Sequence, residues 1–338
     1  MIRPADPRLD FPTRAMPSVR RVMYLDYDWI DLTDVRVHGS ARDEVTGPDG
    51  AVTIDSSSVL DIVTSGGLVS ELVSDPAELD VSRLVGQPLR TGFRARVREQ
   101  YDAGGRPLGL LLDDVSGALI AAGYVHAFEG SYGAGRAAGP NPSKGASRIE
   151  RDETPKGFHQ ADLCSGWRSD GTMMVAIRAG EPLPFQPTAP VSERPHGANW
   201  PARPIPAPGL RRHRRMDVVA DTLEGEAVWR VDAWFRDTHR TRSGACGALH
   251  EYTVHLVARA SDHEVIDVHA IAHALPWDEC PAAGEMVGKL GGTCLDDLRA
   301  AVPKVLRGIE SCTHLTNELR ELADVPYLAS LLPAPADR

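Results

Sequence analysis

Near the end of the chain, residues 310–325 read ESCTHLTNELRELADV, with Cys312, Thr313 and His314 together at the mouth of a helical run. Two readings compete. A thiol at a helix N-terminus has a lowered pKa, which is how reactive thiols are made. Alternatively, Ser311 or Thr313 caps the helix by accepting a backbone N–H, and Glu318 sits near the first turn, where a carboxylate suits the helix dipole. The pattern favours a buried or capping Cys312 and a polar His314 that reaches a site.

Three β-rich stretches carry the other candidates. VDAWFRDTH places Asp237 and His239 on the same face as Phe235, because side chains alternate along a strand. A carboxylate beside an imidazole holds its tautomer and raises its basicity, as a general base requires. LHEYTVHL puts His250, Tyr252 and Val254 on one face and Glu251, Thr253 and His255 on the other. A helical zinc-protease reading fails here, since that motif needs two histidines at i and i+4 with Glu between. DVHAIAHAL sets Asp267, His269, Ile271 and His273 opposite an alanine-rich face that is the better core candidate. A fourth stretch, DLCSGWRSDG, gathers Asp162, Cys164, Trp167, Arg168 and Asp170 in a loop. A loop tryptophan exposes apolar area unless it packs on a substrate ring or another part of the protein, and binding residues concentrate on such loops.

These residues need a scaffold. AVWRVDAWFRDTH reads as a strand, ALHEYTVHLVARA and EVIDVHAIAHAL as a hairpin, and LDDLRAAVPKVLRGI and LTNELRELADVPYLASLL as helices, the first kinked or stopped at Pro303. The order repeats earlier in the chain. RARV at 94–97 matches RAAV at 299–302, and PLGLLLDDVSGALI at 107–120 lies over CTHLTNELRELADV at 312–325, both at an offset of 205 residues. The expectation is an α+β fold. Two similar units of antiparallel sheet plus helices, 20–128 and 211–328, would pack as a pseudo-twofold pair. A long Gly/Pro-rich segment, 129–210, joins them and is largely loop.

The chain has 338 residues, 42% of them hydrophobic, and a net charge of -10, which suits a globular protein and argues against a nucleic-acid binder. Its one basic run, RRHRR at 211–215, reads as a solvated patch. There is no apolar run long enough to span a membrane, and the N-terminus lacks the apolar core of a signal peptide. Five cysteines without a Cys-x-x-Cys pair suggest free thiols in a cytoplasmic protein.

The C-terminal third resembles a bacterial family known only as a domain of unknown function. The shared marks are FRDTH, VIDVHA, PWDECP, MVGKL and the Cys-Thr-His-Leu helix start, although Ser311 stands where that family usually has Gly. Longer forms with a stretch like DLCSGWRSDGTMM at 162–174 resemble cofactor-independent lyases of lignin-dimer breakdown, the phenylcoumaran gamma-formaldolases. That resemblance implies a carbon–carbon lyase that opens a phenolic aromatic dimer and releases formaldehyde.

Such a reaction needs a base, an acid and a ring-stacking pocket. His250, Asp237 and His239 are the catalytic candidates; Asp162, Trp167, Arg168 and His314 are the substrate-binding candidates. GSYGAG at 130–135 does not follow a β-run, and no phosphate loop occurs, so cofactor-free proton chemistry is the economical choice. No metal ligand set is assigned. The expected partner is a small aromatic molecule, with a homo-oligomer allowed and neither nucleic acid nor membrane. Two alternatives stay open: a metal-dependent hydrolase using the His-rich strands, and a non-enzymatic small-ligand-binding protein.

Overall fold

A computed structural model describes residues 11–31, 34–77, 80–90, 92–101, 105–132, 161–179, 189–193, 200 and 203–333. The first stretch builds strands β1 (Ser18–Trp29), β2 (Val35–Thr46), β3 (Val52–Ser65) and β4 (Leu68–Asp75), then helices α1 (Phe93–Gln100) and α2 (Pro107–Tyr132). A short helix α3 (Thr172–Arg178) and a two-residue strand β5 (Ala189–Pro190) follow. The last stretch builds β6 (Gly209–Leu223), β7 (Glu226–Arg240), β8 (Cys246–Arg259) and β9 (Val265–Ala274). It ends with α4 (Ala282–Glu285), α5 (Leu298–Val305), α6 (Thr313–Glu321) and α7 (Val325–Ser330).

The nine strands among the described residues form one antiparallel sheet in the order β4-β3-β2-β1-β6-β7-β8-β5, with β9 also paired to β8. The fold is therefore α+β. Two meanders meet at the β1–β6 seam, where Met23 pairs with Arg214 and Leu25 with Arg212. Helices cover one face. Around α2, Leu111 and Val115 pack with Met23, Leu25 and Leu60. Around α6, Leu315 and Leu319 pack with Phe235, Tyr252 and Val254. The alanine-rich side of β9 joins this second core through Val268, Ala270 and Ala272.

The basic run RRHRR is not a solvated patch. Residues 211–215 lie in β6, a central strand, and all five are buried. Strand alternation sends Arg212 and Arg214 to the helix-covered face and Arg211, His213 and Arg215 to the other. Each arginine meets carboxylate there, the condition on which a buried guanidinium is tolerated. Arg212 donates Nε and Nη2 to Asp237 at 2.7 and 2.8 Å and Nη1 to Asp114 of α2 at 2.9 Å. Arg214 grips Asp114 at 2.7 and 2.9 Å and also reaches Glu318 of α6. From β1, Arg21 binds Asp43 at 2.6 and 2.7 Å and Asp324 at 2.8 Å. On the opposite face Arg211 binds Asp26 at 2.6 and 2.8 Å, and Arg20 reaches back to Asp217 at 2.8 Å.

Two further expectations change. The helix after Ser311 has Cys312 in its cap position with no side-chain cap bond, and the Ser311 hydroxyl donates instead to Gly308 O at 2.8 Å. Glu318 is not a solvated first-turn carboxylate, because it faces inward to Arg214. Pro303 does mark an early stop, since α5 ends two residues later. Within 129–210, the helix α2 runs to Tyr132 and α3 and β5 are ordered elements; the rest of the expected loop lies largely outside the described residues.

Asp114 is the sharpest test of this network. Burial would raise its carboxyl, but Arg212 and Arg214 overcome that and hold it at about 2 against an ordinary 3.8. A depressed folded pKa means stability that is present above the unfolded value and lost as pH falls toward the folded one. Stability should therefore drop between about pH 4 and 2. Asp114→Asn should cost about 3 kcal/mol at neutral pH, because Arg212 and Arg214 each lose one of their two buried counter-charges, and should flatten that acid limb. Urea unfolding of both proteins across this pH range measures it; equal midpoints would sink the account.

Candidate active site

The strongest chemical constellation sits where β7, β8 and the start of α6 converge. Asp237 and His250 are cross-strand partners beside a bulge at Asp237–Thr238, so both point to the helix-covered face. His250 Nδ1 lies 3.3 Å from Asp237 Oδ2. His314, from the first turn of α6, stacks on His250 with ring centroids 3.6 Å apart and planes 19° apart. The three donor groups lie within 4.8 Å of one another. Asp237 and His250 are buried and His314 is half-buried.

Electrostatics set the states of Asp237 and His314. Burial would raise the Asp237 carboxyl, but the bidentate Arg212 guanidinium and the bond to His250 hold it well below the usual carboxylate range. Burial first, then His250, push the His314 imidazole well below its ordinary value, so it is neutral near pH 7. Its Nε2 is shielded from solvent and has no hydrogen-bond partner among the described residues. The unit is thus an arginine-clamped carboxylate, an imidazole whose Nδ1 lies 3.3 Å from it, and a second imidazole stacked on the first. An aspartate that fixes a histidine tautomer and stabilises its cation is the usual support for a general base.

His239 is not part of this set. It follows Asp237 past the bulge, pairs with Gly247, and burial pushes its imidazole down to about 4. The β8–β9 outer face is separate too. His255 lies 3.4 Å from Asp232, its ring is 5.0 Å from that of His269, and His273 Nε2 is 2.9 Å from Thr253 Oγ1. Glu251 points to the face opposite His250, where it accepts from Trp234 Nε1 at 2.7 Å.

The loop with Asp162, Trp167 and Arg168 is stitched to the mouth of α6. Ser165 N donates to Ser311 O at 2.8 Å and its hydroxyl to Ile309 O at 2.9 Å. Asp162 accepts from Ser169 N and Oγ at 2.8 Å, and Arg168 pairs with Asp170 at 2.9 Å. Asp162, Arg168 and Ser169 line an open groove of about 830 Å³ with Arg178, Arg307 and Glu310. Trp167 is half-buried and outside that lining. Gly166 lets the loop approach closely, since a Cβ there would lie 2.9 Å from Cys280 Sγ.

Spacing along the chain concealed a gathering of thiols. Cys312 Sγ is 3.9 Å from His314 Nδ1. Burial pushes Cys312 up despite the N–H groups of His314 and Leu315, so desolvation defeats the helix terminus. Burial and then Cys312 push Cys164 up to about 11, and burial, Cys312 and Cys164 push Cys280 well above the ordinary thiol range. The clamp of Asp114 and Arg212 was equally hidden. The β-branched pair Val218–Val219 close after RRHRR was the available local signal that the run belongs to a strand.

These thiols should be inert in the folded protein, because the thiolate is the reactive form. A neutral-pH alkylation time course with peptide mapping should label half-exposed Cys294 early and buried Cys280 and Cys312 only on unfolding. Labelling of Cys312 at the rate of Cys294 would contradict the assignment.

Residues 210–328 match a family model whose description is a protein of unknown function, DUF2889. No curated protein and no solved structure matches the chain.

Proposed function

We propose that the protein is a cofactor-independent carbon–carbon lyase acting on a phenolic, lignin-derived aromatic dimer, with Asp237–His250 as its proton-transfer unit. The observation that carries this reading is the Asp237 carboxylate held between Arg212 and His250 Nδ1. In such a step His250 accepts the proton of a primary hydroxyl. The C–O bond becomes a carbonyl as the adjacent C–C bond breaks, releasing formaldehyde. The electron pair of that bond forms a carbon–carbon double bond as the benzylic ether opens, and the departing phenoxide takes up a proton. Neutral His314, stacked on His250, is placed to relay or orient. The groove bearing Asp162 and Arg168 supports a nearby substrate site, because its lining residues Gly308–Glu310 end four residues before His314 in the chain.

A second reading has one specific observation behind it. Asp237, His250 and His314 lie close enough to share a metal ion, and His314 Nε2 lacks a partner among the described residues. A metal-dependent hydrolase would use them as ligands.

The finer architecture belongs to the same proposal: two halves related by duplication about the β1–β6 seam. The strand order is mirrored across that seam, and α1 and α5 begin 205 residues apart, at Phe93 and Leu298. The ion pairs are reciprocal as well, Arg20 with Asp217 and Arg211 with Asp26.

His250→Ala should lower formaldehyde release from a phenylcoumaran dimer about 100-fold or more while the protein still folds cooperatively, with a lowered melting temperature. Asp237→Asn should lose both rate and stability, since it also disarms Arg212, and His239→Ala should keep most of the rate. A His250→Ala enzyme with unchanged turnover places the base elsewhere. Dependence of turnover on a stoichiometric, chelator-removable metal would favour the hydrolase reading.

A further inference from the structure

A second set of ligand-type side chains lies away from the candidate active site, where the β8–β9 turn meets the strap before α5. His263 Nδ1 is 2.8 Å from Asp296 Oδ2, and Cys294 Sγ is 3.6 Å from the same oxygen and 3.7 Å from Asp262 O. The imidazole, thiol and carboxylate donors lie within 4.8 Å of one another. We propose that His263, Cys294 and Asp296 form a site for a borderline-soft divalent transition metal, zinc in the first instance, with water or a ligand in the remaining position.

The donor types fit. Imidazole, thiolate and carboxylate are all zinc ligands at about 2.0–2.3 Å, and three protein ligands with an open fourth position is the usual arrangement of a reactive zinc site. Tetrahedral bonds of those lengths put sulfur and oxygen about 3.5 Å apart and nitrogen and oxygen about 3.3 Å apart. The sulfur–oxygen separation already matches, and the His263–Asp296 bond needs to open by only about 0.5 Å to admit the ion.

The backbone holds the donors in place. Val265 N donates to Thr293 O at 2.9 Å, Gly292 N to Val265 O at 2.8 Å and Leu295 N to His263 O at 2.9 Å. A short antiparallel bridge between Glu264 and Cys294 completes the clip. Ligands fixed on paired backbone lose little freedom on binding. One side of the His263 ring rests near Trp229, with centroids 5.1 Å apart. Local charge also favours a cation. Asp262 and Glu264 flank His263 in the chain and Asp297 follows Asp296, and Arg259 offsets part of this charge through its bonds to Asp262 and Glu264. The site is reachable, since the His263 side chain is 31% and that of Asp296 61% exposed.

Asp296 has a second neighbourhood. It also lines a cavity of about 490 Å³ with Asp113, Arg299, Asp324, Tyr101 and Tyr327. A metal at this clip would therefore border a chamber of small-molecule size.

Binding requires the Cys294 thiolate, so it releases a proton to solvent and strengthens as pH rises. The test is titration of chelator-treated, full-length protein with Co²⁺. One equivalent should produce a thiolate-to-cobalt charge-transfer band that Zn²⁺ then abolishes by competition. Cys294→Ser should remove the band, and His263→Ala should weaken binding by at least about 100-fold, more than loss of an outer-shell partner costs. His314→Ala should leave both unchanged. These clip residues are partly exposed, and folding of each variant can be checked by its melting curve. Absence of the band at stoichiometric Co²⁺, its survival in Cys294→Ser, or sensitivity to His314→Ala instead would overturn the proposal. None of these outcomes depends on lyase activity.

Discussion

The pairing of Arg212 with Asp237 and Asp114 is the interaction on which the rest of the structure depends. A guanidinium in the middle of a nine-stranded sheet cannot stay solvated, and an isolated buried ion costs several kcal/mol, so its counter-charges must be built into neighbouring elements. One carboxylate comes from the adjacent strand β7 and the other from α2, which is otherwise packed on the first meander. A single side chain thereby fixes the height of α2 over the sheet and the seam between β1 and β6. Arg214 extends the same chain of charges to α6 through Glu318. The helices are held at defined positions by directional bonds where apolar packing alone would leave them free to slide.

The candidate active site is the continuation of this network toward the second core. Asp237 spends its negative charge on Arg212 and its remaining acceptor capacity on His250. Because the carboxylate is already held low, it stays ionised in a buried setting and can stabilise a cation forming on His250. His314 enters the stack only because α6 is pinned by Glu318 and by the burial of Leu315 and Leu319. The position of the histidines is a consequence of charge pairing one strand away.

The same desolvation explains what the thiols do not do. Cys312 occupies a helix N-terminus, where exposed cysteines become acidic. Here the Ser165 loop closes over it, bonded to Ile309 and Ser311, and Gly166 allows the loop to press against Cys280. Removal of water raises all three thiols more than the helix terminus lowers any of them. Loop 162–170 thus seals one side of the α6 mouth while its outer edge forms the groove.

By itself the sequence determined a good deal. Alternation in VDAWFRDTH and LHEYTVHL put Asp237 and His250 on defined strand faces and removed the helical zinc motif from consideration. The alanine side of β9 was legible as core because small apolar residues recur at a period of two. The chemistry around Asp237 was not legible in the same way. RRHRR has the composition of a surface patch, and burial of four arginines becomes tolerable only through carboxylates as far as 185 residues away, Asp26 for Arg211 and Asp114 for Arg214 among them. Both three-donor sets, Asp237–His250–His314 and His263–Cys294–Asp296, likewise join residues with no motif spacing between them. Local pattern reports which face a side chain takes, since that follows from backbone geometry. Which partners it meets there depends on strand order and helix placement, and those are settled by the tertiary balance between apolar burial and the compensation of buried charge.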